Sequence, residues 1–296
     1  MSFSGKVKDE LSRVNVGKMH CVDAELLAIM TLCGSIHISQ NDRYSIKVQT
    51  ENIDVARRIS ILLSKRFGSK PEILVRNIGN KGQKLYILVV TNSEIAYEIT
   101  EMIEKADVSK TCCERAYIRG VFLASGSISN PENSNHLEIV CNSDEKCQKI
   151  QQILQKFDIG TKKVARSRRF VVYIKEGSLI VDTLNVMGAH KALMDFENVR
   201  IIKDMRNNLN RKVNCETANI TKVVKSAMRQ IDDINLIIER KGLDSLSPQL
   251  KEMAEVRLRY PDASLVELGG LLDKPIGKSG VNHRLRKLSE IADEIR

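Results

Sequence analysis

The stretch Glu25-Leu-Leu-Ala-Ile-Met-Thr-Leu-Cys-Gly-Ser-Ile36 is answered by Tyr117-Ile-Arg-Gly-Val-Phe-Leu-Ala-Ser-Gly-Ser-Ile128, with identical Gly-Ser-Ile endings and with Gly34 and Gly126 separated by 92 positions. A repeat at one fixed offset fixes the architecture and is settled before any single element is assigned. Both segments read as apolar helices that stop at a glycine. Small residues stand among the large ones (Ala28, Thr31 and Gly34; Gly120, Ala124 and Gly126), so the two helices can cross closely, side by side.

Outward from these helices the same signals recur in the same order. Ser45-Ile-Lys-Val48 and His136-Leu-Glu-Ile139 alternate as strands. Each feeds a helix, in which Ile59, Leu62 and Leu63 match Ile150, Ile153 and Leu154 at the spacing that gathers apolar side chains on one face. Two further strands follow in each half, at 72–76 and 84–91, then at 161–165 and 170–175, and a closing helix covers about 94–104 and 179–187. The sequence therefore predicts an α+β core of two αββαββα halves related by a pseudo-two-fold axis, over 1–106 and 107–202.

The pattern changes beyond the repeat. Residues 203–245 read as a basic helical connector, and 246–296 as an all-α helix-turn-helix domain. Ser247 before Pro248 is a helix start, with Leu250, Met253, Ala254 and Leu258 facing inward. Ser264 with Glu267 three residues on is a capping-box pattern for a short second helix. Ser279 is the expected N-cap of a third helix, in which Val281, Leu285 and Leu288 face the core. Asn282, His283, Arg286 and Lys287 then fall on the opposite side.

A polar, basic face on the last helix of such a unit suits major-groove reading, because Arg pairs bidentately with guanine and Asn with adenine. Asn282, His283 and Arg286 are the candidates for base edges, and Lys278, Ser279, Arg284 and Lys287 for phosphates. The bland alternative is a solvated helix.

The whole chain of 296 residues has 47 Lys and Arg against 37 Asp and Glu, a net charge of +10. That balance suits a polyanionic partner, here double-stranded DNA at promoter sites. Further phosphate candidates are Lys162, Lys163, Arg166, Arg168 and Arg169 in the core, with Arg211 and Lys212 in the connector. The seven cysteines are odd in number and form no CxxC or zinc-ribbon spacing, which argues against a disulfide framework and a structural metal. No cofactor is expected. The opening residues carry no apolar stretch of signal-peptide length and soon reach Asp9 and Glu10. No apolar run approaches bilayer length, so the expected location is cytoplasmic, at the nucleoid, with no membrane partner.

The two helices that end at Gly34 and Gly126, each followed by Ser-Ile and a hairpin, resemble the paired motif helices of LAGLIDADG homing endonucleases. In that family each motif helix ends in an acidic residue, and the two acids hold the divalent cations that assist phosphodiester cleavage. Cys33 and Ser125 occupy those positions here, and neither is a hard anionic oxygen donor. The resemblance thus implies a nuclease fold without catalysis. Asp42 and Glu132 are the carboxylates that a displaced-ligand endonuclease would use.

Longer motifs narrow the resemblance. Ser2-Phe-Ser4, Glu114 through Ile128, Asn185-Val-Met-Gly-Ala-His190 and Asn207 through Asn219 together resemble the WhiA family, nearly end to end. This implies a transcription regulator of sporulation, cell division and chromosome segregation in Gram-positive bacteria, and no enzyme. Two other readings stay open: a metal-dependent endonuclease, and a core that serves as a scaffold for RNA polymerase, a sigma factor or another regulator.

Overall fold

The computed structural model describes residues 2–38, 44–78, 82–166 and 169–296, which divide into two compact units, Met1–Asp204 and Met205–Arg296. In the first unit the expected repeat is present. One half runs α2 (Met19–Cys33), β1 (Gly34–Ile38), β2 (Tyr44–Thr50), α3 (Ile53–Phe67), β3 (Glu72–Ile78), β4 (Gln83–Val90) and α4 (Ser93–Lys105). The other runs α5 (Thr111–Ser125), β5 (Gly126–Ile128), β6 (Leu137–Cys141), α6 (Asp144–Gln155), β7 (Lys162–Arg166), β8 (Arg169–Ile174) and α7 (Gly177–Met187). The two antiparallel sheets have the same order, β1-β2-β4-β3 and β5-β6-β8-β7. The fold is thus an α+β core of two αββαββα halves followed by a helical unit.

Local chemistry accounts for the element boundaries. Asn52 and Asn92 each cap a helix by accepting two backbone N–H groups, and Ser143 accepts one at the start of α6. Gly34 and Gly126 leave their helices in extended conformation. A Cβ there would lie 2.5 Å from the Met30 carbonyl oxygen or 2.4 Å from the Phe122 ring, which explains why both halves end in glycine.

The helices α2 and α5 pack side by side at the heart of the unit. At Gly120 a Cβ would stand 2.5 Å from the Glu25 carbonyl oxygen and 2.9 Å from the Ala28 Cβ, so the small residues permit this close crossing. Glu25 is buried there and accepts hydrogen bonds from Arg58 of α3 and Arg119 of α5. The matched residues Ile59, Leu62, Leu63, Ile150, Ile153 and Leu154 all lie in the core. Strand alternation turns Ile46, Val48, Leu88, Leu137, Ile139 and Val172 toward the helices and leaves the other sheet face largely exposed, with Ile87 and Val171 the buried residues of β4 and β8 on it.

Two helices depart from the sequence reading. An unanticipated α1 (Phe3–Ser12), capped by Ser2, packs near α3 and α5. A 51-residue helix, α8 (His190–Arg240), begins well before the expected connector because the Glu10 carboxylate accepts the N–H groups of Lys191 and Ala192 in its first turn.

In the second unit the end of α8 is followed by α9 (Pro248–Arg259), α10 (Leu265–Gly270) and α11 (Lys278–Ile295). Its core joins Ile234 and Ile237 of α8 to Met253, Ala254, Leu268, Leu272, Val281, Leu285, Leu288 and Ala292. No helix among the described residues is long and apolar enough to cross a membrane.

Candidate nucleic-acid interface

The second unit is built around the short α10. Ser264 Oγ accepts from Glu267 N and the Glu267 carboxylate accepts from Ser264 N, closing the capping box. The backbone N–H of Ser264 holds the Glu267 carboxyl below the usual carboxylate range, with help from the serine hydroxyl. After α10 the chain turns back so tightly that Ile276 N donates to Gly269 O at 3.1 Å, and a Cβ at Gly269 would fall 2.2 Å from the Ile276 carbonyl oxygen. This contact sets where α11 starts.

On α11 the buried Val281, Leu285 and Leu288 alternate with exposed Asn282, His283, Arg286 and Lys287, as the periodicity predicts. Lys278 and Ser279 are exposed in the first turn. Two readings change. Ser279 is inside the helix, because the tight turn places Gly277 at the N-cap, with no side-chain cap. Arg284 is only 16% exposed and reaches back to α9, to the Gln249 carbonyl at 3.4 Å and to Glu252 at 3.5 Å. It ties two helices together and is removed from the open face. Arg286 stays on that face, 3.1 Å from Glu290 one turn on, a pair exposed enough to exchange for another anion.

The core cations divide by strand alternation. Lys162 and Arg166 of β7, with Arg169 opposite Arg166 on β8, lie on the sheet face turned away from α6. Arg166 stands 3.6 Å from Glu138 on that face. Lys163 points the other way and pairs with Asp144 at the start of α6, whose carboxyl it holds below the usual range. Arg168 lies outside the described residues. Arg211 and Lys212 are exposed on α8, but on different faces: at 100° per residue Arg211 shares a side with Lys222, Lys225 and Arg229, and Lys212 does not. Sequence reading by charge alone missed the other half of this helix, where Leu209, Val213, Ile220 and Val223 are exposed.

At the C-terminal ends of α2 and α5, where the resembling nucleases carry acids, both substituted side chains fold back on their own helices. Cys33 Sγ donates to the Ile29 carbonyl at 3.1 Å, and Ser125 Oγ to the Val121 carbonyl at 3.5 Å. Burial pushes the Cys33 thiol up to about 12, against the opposing pull of nearby Lys8. Lys146 Nζ donates to the Thr31 carbonyl at 2.6 Å, so ammonium groups serve this end of the helix pair. Glu132 lies in the loop after β5, and Asp42 is outside the described residues. The one group of possible metal ligands among the described residues is elsewhere, at the N-terminal ends of the same two helices: His20, Cys21, Cys112 and Cys113.

Comparison with known proteins follows the same division of the chain. The WhiA N-terminal LAGLIDADG-like domain matches residues 19–105, the WhiA LAGLIDADG-like domain 114–206, and the WhiA C-terminal HTH domain 209–292. A probable cell division protein WhiA from Lachnoclostridium phytofermentans is 47% identical over 312 residues, covering 100% of both chains. Its counterpart in Alkaliphilus metalliredigens is 42% identical over 313 residues, covering 100% of this chain and 99% of the relative. Among solved structures, the full-length DUF199/WhiA from T. maritima matches with a TM-score of 0.65 at 27% identity, over 99% of each chain.

Proposed function

The chain belongs to the WhiA family, and from that premise we propose that it is a sequence-specific, DNA-binding transcriptional regulator acting in cell division, chromosome segregation and sporulation, with a core that performs no chemistry. The observation that carries the reading is the exposed face of α11. Asn282, His283 and Arg286 stand clear of the unit's core at successive helical positions suited to base edges, flanked by Lys278, Ser279 and Lys287 for phosphates.

Non-specific affinity is assigned to the cations that have no buried partner: Lys162, Arg166 and Arg169 on the open sheet face, and Arg211 with its neighbours on one side of α8. A nucleoid-associated, cytoplasmic location goes with this role. The absence of cleavage chemistry is supported by the donor set at the helix ends, where a thiol and a hydroxyl are satisfied by their own helix carbonyls and Lys146 takes the Thr31 carbonyl.

The edge strand β3 supports a second role for the core, as a docking surface for RNA polymerase, a sigma factor or another regulator. Ile73, Leu74 and Val75 are each about half exposed along it. Leu74→Glu in the full chain would lose polymerase or sigma-factor capture while keeping DNA affinity; unchanged capture overturns that role. The main reading is tested by in vitro site selection with the wild type and Arg286→Ala. Loss of site preference with salt-sensitive background binding intact is the expected result, and retained preference sinks it.

A further inference from the structure

The repeat that aligns Gly34 with Gly126 also aligns His20 with Cys112 and Cys21 with Cys113, at the same offset of 92. These doublets occupy the first turns of α2 and α5, after Lys18 and Lys110 at equivalent N-caps. Because the two helices cross side by side, the doublets meet. His20 Nδ1 lies 3.1 Å from Cys113 Sγ, 3.4 Å from Cys21 Sγ and 4.0 Å from Cys112 Sγ. All four donor atoms fall within 4.8 Å of one another. In a tetrahedral zinc centre, bonds of about 2.3 Å to sulfur and 2.0–2.1 Å to nitrogen set N···S separations near 3.6 Å and S···S separations near 3.8 Å. The observed N···S distances bracket the first value.

We propose that His20, Cys21, Cys112 and Cys113 form a tetrahedral site for a thiophilic cation, Zn²⁺ foremost, which staples the two halves of the core across their pseudo-dyad. Three thiolates and a neutral imidazole suit a soft or borderline d¹⁰ ion and disfavour Mg²⁺ or Ca²⁺. Loading releases three thiol protons to solvent and leaves a centre of net charge −1. The positive ends of two helices that lack side-chain caps face that charge. Four protein ligands fill the coordination sphere, so the role is structural. A disulfide among the same thiols would leave one sulfur and the imidazole unused.

The site is independent of the DNA-binding reading and is tested by metal readouts. Full-length protein, purified under reductant without chelator, is assayed for zinc, stripped anaerobically and titrated with Co²⁺. The expected result is about one zinc per chain, with intense thiolate-to-Co²⁺ charge transfer and strong tetrahedral visible bands. Cys112→Ser alters an exposed side chain and spares the packed Cys113. It is expected to keep the circular dichroism of the fold, lose part of the charge-transfer intensity and weaken Zn²⁺ binding more than about tenfold. His20→Asn gives a second, thiol-preserving variant with the same expected loss of affinity. Absence of zinc with a weak octahedral Co²⁺ spectrum overturns the proposal. So does a wild-type spectrum in both variants, or a trapped disulfide among these cysteines in protein that takes up no metal after reduction.

Discussion

Arg58 closes on Glu25 with two hydrogen bonds, Nε to Oε1 at 2.7 Å and NH2 to Oε2 at 2.9 Å, and both side chains are only 2% exposed. The same carboxylate accepts from Arg119 of α5 at 3.0 Å, and Arg119 also donates to the Met187 carbonyl. One buried acid therefore links α2, α3 and α5. Glu25→Ala leaves the Arg58 guanidinium buried without its counter-ion and is expected to cost about 3–5 kcal/mol of stability, read by urea denaturation. Arg119→Ala costs less, because its side chain keeps some solvent contact. A loss from Glu25→Ala no larger than that of a surface substitution would refute this account.

The capping box of α10 gives a pH signature. Glu267 ionises below its ordinary range when folded, so the unfolded chain binds more protons in the acid region. The stabilisation is fully present above the ordinary glutamate range and is lost as pH falls through the lower folded value. Melting of full-length protein followed from pH 7 to pH 3 should show a smaller acid-side decline for Glu267→Gln than for the wild type. Ser264→Ala removes the N-cap acceptor and should lower stability by about 1 kcal/mol at neutral pH.

The open face of α11 separates specificity from affinity. Asn282→Ala and Arg286→Ala should each cost about 1–3 kcal/mol on the preferred site and relax selection at one position. Lys287→Ala should weaken all sequences alike and reduce the salt slope by about 1. Fluorescence anisotropy on specific and scrambled duplexes at several salt concentrations distinguishes the two classes. Arg284→Ala should instead lower the melting temperature, since Arg284 holds α11 to α9.

Strand alternation predicts unequal effects among neighbouring core cations. Lys162→Ala, Arg166→Ala and Arg169→Ala together should flatten the salt dependence of DNA binding and leave site preference unchanged. Lys163→Ala should leave the salt slope alone, because Lys163 is committed to Asp144 on the other face. An equal loss of slope from Lys163→Ala would remove the sheet face from the interface.

Supercoiled plasmid incubated with the protein and Mg²⁺ or Mn²⁺ should remain uncut, because neither Cys33 nor Ser125 offers a hard anionic oxygen. Cleavage abolished by Glu132→Ala would reverse the proposal that the core is inactive.

What was legible in the sequence is what depends on neighbours along the chain. The Gly-Ser-Ile repeat identified the paired helices, strand alternation and helical periodicity identified the layers, and Ser264 with Glu267 identified α10. The buried and exposed faces of α11 followed from the spacing of Val281, Leu285 and Leu288. Each is a local rule, since hydrogen bonds a few residues apart and a fixed turn per residue require no knowledge of the rest of the molecule.

The tertiary structure decided everything that needs a partner distant in sequence. It committed Arg284, a phosphate candidate, to Glu252 of α9, set Lys163 against Asp144, and started α8 at His190 through Glu10. It also brought His20 and Cys21 to Cys112 and Cys113, a gathering that no spacing rule for metal ligands detects because the doublets sit on separate halves. The sequence by itself determined the repeat and hence the fold. Only the packing of one half against the other, at the close approach of Gly120 to Glu25, determined which chemistry-bearing side chains meet.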